Sequence, residues 1–159
     1  MPRVDFYLLS DESGMYKFAC IMASKAWSAG NHVYMYTETE DTAKKLDDLL
    51  WTFRDISFVP HEIYNETENL EIINISSLLN EAPITIGFGN HFPNHSQVMI
   101  NLDYKIPEFA EKFSRIIEIV ENNEKNKEIA RQRYRQYKES KYELYNHNID
   151  NLKEIYQTK

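Results

Sequence analysis

The N-terminal third of the chain alternates between short apolar runs and amphipathic stretches. "VDFYLLS" (Val4 to Ser10) is apolar with few polar breaks, the pattern of a strand buried on both faces. From Met15 to Ala29, the residues Tyr16, Ala19, Cys20, Ala23, Ala26 and Trp27 recur at helical spacing, and Gly30 is placed to cap the end. "HVYMYTE" (His32 to Glu38) predicts a second strand. "DTAKKLDDLLWTF" then predicts a helix, with Asp41 or Thr42 as cap and Ala43, Leu46, Leu49 and Leu50 on one stripe. A β-α-β-α opening with short connections is the signature of a parallel α/β sheet.

The middle is less regular. "ISFVPHEIY" holds a short strand interrupted by Pro60, and Asn65 to Asn80 is a mixed polar and apolar stretch. "APITIGF" and "QVMINL" predict two more strands, separated by the turn-rich "GNHFPNHS". After Pro107, a favourable first helical residue, Phe109, Phe113, Ile116, Ile117 and Val120 fit the stripe of an amphipathic helix. A basic helix follows, and from about Asn146 the chain is polar. The organisation expected is one α/β domain over 1–145, Rossmann-like, its mostly parallel sheet flanked by helices. A polar, loosely held tail at 146–159 completes it.

Composition narrows the function classes. The formal charge is −7, and the single cysteine, Cys20, excludes an internal disulfide and fits a reducing cytoplasm. No signal-peptide pattern opens the chain and no apolar run is long enough to span a bilayer, so no membrane partner is expected. An acidic balance argues against broad nucleic-acid binding. Nucleotide binding on such a fold needs glycines in the first strand-to-helix turn. Here that turn is "SDESG", with one glycine and two acids, and "GFG" (Gly87 to Gly89) lacks a third glycine and a following helix. No cofactor is expected.

His91 and His95 have a metal-ligand spacing only on a helix, and Pro93 between them denies one, so no metal is expected. Cys20 falls on an apolar stripe, as a buried structural thiol does. No nucleophile elbow or comparable ordered motif gathers a catalytic set, so the chain reads as non-enzymatic. Trp51 and Phe58 are large rings at element ends, open to two readings: core anchors, or an exposed patch for a partner protein.

One segment departs from the average. "KNKEIARQRYRQYK" (Lys125 to Lys138) carries six basic residues against one acid, Glu128, for +5 locally, leaving −12 for the remainder of a −7 chain. At 100° per residue, Lys127, Arg131, Tyr134 and Lys138 share one face, while Ile129, Ala130 and Tyr137 turn toward the body. Such a face suits an acidic ligand with an apolar group: Arg offers bidentate hydrogen bonds to carboxylates, Lys adds charge and Tyr adds packing area. It would equally suit single-stranded nucleic acid, where basic residues and stacking rings also serve.

With "DFYLL", "LDDLLW" running into "SFVPH", and "IARQRYRQYK" in this order and spacing, the chain resembles the chi-subunit family of bacterial DNA polymerase III over roughly residues 3 to 142. The resemblance implies a non-catalytic α/β accessory subunit in DNA replication. It implies two partners: the psi subunit, which tethers chi to the clamp loader, and the acidic C-terminal tail of single-stranded-DNA-binding protein, which ends in an apolar residue with a free carboxylate. Lys127, Arg131 and Tyr134 match tail-binding positions, with Val120 as an apolar wall and Lys138 in support. Trp51 and Phe58 match the pair that binds psi, and a helicase-like protein competing for that surface. The family's Gly-Phe pair after the basic helix is here Lys141 and Tyr142. The alternative kept beside it is a direct single-stranded nucleic-acid-binding protein.

Overall fold

The structure is a computed structural model, and it describes residues 2–10, 14–52, 61–63, 84–89 and 97–149, with 50–52 and 61–63 described by their backbone. Among the described residues, seven strands form one sheet in the order β3-β4-β2-β5-β6-β1-β7, and every neighbouring pair is parallel. They are β1 (Arg3–Leu9), β2 (Val33–Thr37), β3 (His61–Ile63), β4 (Ile84–Phe88), β5 (Val98–Asn101), β6 (Arg115–Val120) and β7 (Glu143–Ile149). Helices α1 (Met15–Ser28) and α2 (Glu40–Thr52) bury Phe18, Cys20, Ala23, Ala43 and Leu46 against one face. A short 3-10 helix (Glu108–Lys112) and α3 (Glu124–Glu139) bury Ala110, Ala130 and Tyr137 against the other. The expected α/β domain with a parallel sheet is the one observed.

The strands alternate their side chains between these two layers. In β1, Tyr7 and Leu9 enter the α1 side, and Val4 and Phe6 the α3 side. Since both faces are covered, the strands read as near-continuous apolar runs. The helix predicted from Phe109 to Val120 is corrected for that reason. Only Glu108–Lys112 is helical, Phe113 is extended, and "RIIEIV" is β6, pairing β1 on one side and β5 on the other. Ile117 and Ile119 face α1 while Ile116 and Val120 face α3, so a two-sided strand produced residues at helix-like intervals.

The ends of the elements follow local chemistry. α1 closes in a Schellman motif: Gly30 N–H donates to Trp27 O at 2.8 Å and Asn31 N–H to Ala26 O at 3.0 Å, with Gly30 at φ 93° as its cap position requires. α2 starts ahead of the expected cap, with the Thr39 hydroxyl accepting from Thr42 N–H. Gly87, half of the suspected phosphate motif, is explained by packing, since a Cβ there would run into the Tyr34 ring. The chain from Asn146 to Ile149 is not a loose tail but the second half of β7, paired with β1 through Leu9↔Ile149. Its polar sequence is that of an edge strand, mostly open to solvent.

Candidate functional site: a basic groove between α3 and the sheet edge

α3 starts where Asn123 accepts a hydrogen bond from Asn126 N–H through its side chain at 2.9 Å, a conventional N-cap. It ends in a second Schellman motif. Lys141 N–H donates to Lys138 O and Tyr142 N–H to Tyr137 O, both at 3.1 Å, and the Tyr142 ring meets Tyr137 edge-on at 5.2 Å. Lys141 occupies the left-handed position at φ 67°. The Lys141–Tyr142 pair thus keeps a geometry that a glycine at 141 would adopt without strain.

The helix is seated by a buried polar cluster that sequence reasoning did not find. Glu118, fully buried in β6, accepts from Arg133 Nε at 3.0 Å, Tyr137 Oη at 2.6 Å and Asn101 Nδ2 at 2.9 Å. Burial pushes its carboxyl up from the ordinary range against the pull of these donors, and burial likewise drives the Tyr137 hydroxyl well up. Arg133 also donates to Tyr104 O at 3.1 Å. One basic residue of the segment therefore faces inward. The signal for it was present: Arg133 sits between Ala130 and Tyr137 on the inward face, opposite the only acid in an apolar strand.

This seating turns the rest of the basic segment outward. Lys127, Arg131 and Tyr134 line a groove of about 140 Å³ with Phe6 and Leu8 of β1, Val120 of β6, Ala130 and Asn146 of β7. Four of the five residues expected to form a tail site, Val120, Lys127, Arg131 and Tyr134, are brought together here. Lys138 stands exposed in the last turn of α3 and does not line the groove. Phe6, whose ring lies 5.4 Å from Tyr134, and Leu8 supply an apolar floor that spacing along α3 alone could not reveal. Arg131 is half exposed and paired with Glu128, Nη1 to Oε2 at 2.9 Å. The groove therefore offers an apolar slot with two cations at its rim.

The expected psi-binding pair lies outside this description: Trp51 is in α2 by its backbone, and Phe58 is outside the described residues, as are His91 and His95. At the C-terminal ends of the strands, where open α/β sheets hold nucleotides, a cavity of about 100 Å³ is lined by Glu38, Asp103 and Glu121 together with Tyr16 and Tyr104. The one cation among the described lining residues, Arg133, is already paired with Glu118, so the acidic lining disfavours phosphate. Cys20 is buried, and desolvation pushes its thiol up to about 12, so it stays protonated.

The family profile of the DNA polymerase III chi subunit, HolC, matches residues 1–145. The chain belongs to the DNA polymerase III chi family. Curated chi subunits are similar over almost their whole length. That of Pseudomonas aeruginosa is 34% identical, covering 96% of this chain and all of its own. Those of Haemophilus influenzae and Escherichia coli are 29% and 26% identical, each over 91% of this chain and 95% and 96% of their own. Membership places the chain in DNA replication, with the polymerase III complex. In fold alone the chain is similar to solved structures of low sequence identity. T4 UvsW matches with TM-score 0.66 at 12% identity, over 93% of this chain and 41% of that one. The C-terminal domain of yeast Dbp5 matches with TM-score 0.62 at 12% identity, over 99% and 96%. No helix among the described residues is long and apolar enough to cross a membrane.

Proposed function

We propose that this chi-family chain is a non-catalytic connector that links the clamp loader, through psi, to the acidic C-terminal tail of single-stranded-DNA-binding protein. The observation that carries the reading is the groove, where Lys127 and Arg131 stand at the rim of an apolar slot made by Phe6, Leu8, Val120, Ala130 and Tyr134. An extended peptide ending in an apolar residue with a free carboxylate fits that combination. Its terminal side chain takes the slot, its carboxylate takes the Arg131 guanidinium, and its preceding acids are attracted to Lys127 and, beyond the groove, to Lys138. Trp51 and Phe58 are assigned to psi, and to a helicase-like competitor, by their match to the family's aromatic pair.

The test is a fluorescence-anisotropy titration of the protein into a labelled peptide from the cognate tail, beside a labelled oligonucleotide. Saturable peptide binding is expected. Arg131→Ala should weaken it by about ten- to a hundredfold, the loss of a charge-assisted contact of about 1.5–3 kcal/mol. An unchanged affinity in that variant overturns the assignment. Oligonucleotide binding with a silent peptide would favour direct single-strand binding instead.

A further inference from the structure

The acid in the basic segment is placed to do more than dilute its charge. Glu128 lies one turn before Arg131 on α3, and its two oxygens are shared between two guanidinium groups: Oε2 with Arg131 Nη1 at 2.9 Å, Oε1 with Arg135 Nη2 at 3.8 Å. Arg131 is one of the two cations at the groove rim, and the free protein therefore already holds a carboxylate against it. All three side chains are more than half exposed. The pair thus adds little to folding, and its effect falls on whatever anion approaches Arg131.

We propose that Glu128 is a specificity-determining residue of the groove, an internal carboxylate that an incoming anion must displace from Arg131 or share it with. The inference rests on the tail-binding reading and sharpens it. A ligand that brings only negative charge gains little, since it exchanges one carboxylate partner for another and is repelled by Glu128. A ligand that also fills the Phe6–Leu8–Val120 slot gains burial that Glu128 cannot match. Glu128 weakens both, and what stays bound at working concentrations is the ligand with slot burial in reserve, an acidic peptide with an apolar terminus rather than a plain polyanion such as a single strand. Its negative charge, 2.9 Å from the guanidinium that would take the ligand carboxylate and at a solvent-exposed rim, corresponds to a few-fold effect.

The experiment compares wild type, Glu128→Gln, Arg131→Ala and the double variant in titrations with the labelled tail peptide and with a labelled oligothymidylate, at low and moderate salt. Glu128→Gln should tighten the peptide by about two- to fivefold and the oligothymidylate by at least as much, with both gains shrinking as salt rises. The gain should be smaller in the Arg131→Ala background, because the cation Glu128 competes for is gone. Equal or weaker peptide binding by Glu128→Gln, with wild type binding and Arg131→Ala weakened, overturns this inference and leaves the tail site standing. Failure of wild type and Glu128→Gln alike to bind the peptide overturns both. An equal gain in the presence and absence of Arg131 overturns the competition on which the inference depends.

Discussion

Arg133→Met tests the claim that a buried ion pair fixes the seating of α3. Glu118 is fully buried and Arg133 nearly so, its side chain 8% exposed. Met fills much of the space of the arginine stem but leaves the carboxylate without a cation. Removing one partner of a buried pair costs about 3–5 kcal/mol. Glu118 keeps two neutral donors, Tyr137 at 2.6 Å and Asn101 at 2.9 Å, which puts the loss at the lower end. A loss of about 3 kcal/mol corresponds to a melting temperature lower by about 6–12 °C in a domain of this size. Thermal denaturation followed by circular dichroism measures it. The deficit should shrink as the pH is lowered toward the ordinary carboxylate range. In the variant the Glu118 carboxyl is raised further in the folded state, so protonation removes the uncompensated charge. The double variant Arg133→Met, Glu118→Gln should recover part of the loss even at neutral pH. A drop under about 3 °C, or a deficit that grows in acid, would refute the reasoning.

Asp5 gives an acid-side signature. Burial alone would raise its carboxyl, but hydrogen bonds from Arg3, His147 and Arg115 outweigh burial and hold it at about 2. With the folded value below the unfolded one, its contribution is present above the ordinary carboxylate range and is lost as pH falls toward 2. It amounts to about 1–2 kcal/mol once the exposure of the Arg3 guanidinium is allowed for. Asp5→Asn should flatten that acid limb in a plot of melting temperature against pH. At the end of α3, Lys141→Gly should raise the melting temperature by about 2–4 °C, relieving about 1 kcal/mol of left-handed backbone cost. A lower value would show that the lysine makes a compensating contact.

The opening of the fold was legible because β1, α1, β2 and α2 each carry their own period. Gly30 marked the end of α1 by the one conformation it adopts easily. β6 was not legible as a strand, since a run apolar on both faces contains residues at helical intervals by necessity. β7 was hidden for the opposite reason: an edge strand open to solvent has little apolar pattern to show. At the groove, Lys127, Arg131 and Tyr134 were readable because they share a helix face. Phe6, Leu8 and Asn146 were not, because only the sheet order brings β1 and β7 beneath α3. Arg133 entered only the segment's charge count and was placed on neither face, since a buried cation is recognised only with its partner, and Glu118 lies fifteen residues away in β6.

β1 has no neighbour from the first two-thirds of the chain: it lies between β6 and β7, with Arg3 opposite Arg115 on one side and Glu143 on the other. During synthesis, β1 must wait, unpaired in the sheet, for β6 and β7, which are made much later. The groove inherits this delay, because its floor is β1 and its walls are β6, α3 and β7. A nascent or shortened chain lacking the segment after Asn101 could still assemble β2 with its neighbours β4 and β5, yet it would present a bare apolar β1 and no groove. Long-range closure of this kind is slow relative to local pairing. The groove is therefore complete only once β7 has closed on β1, and chains cut before that point lack it.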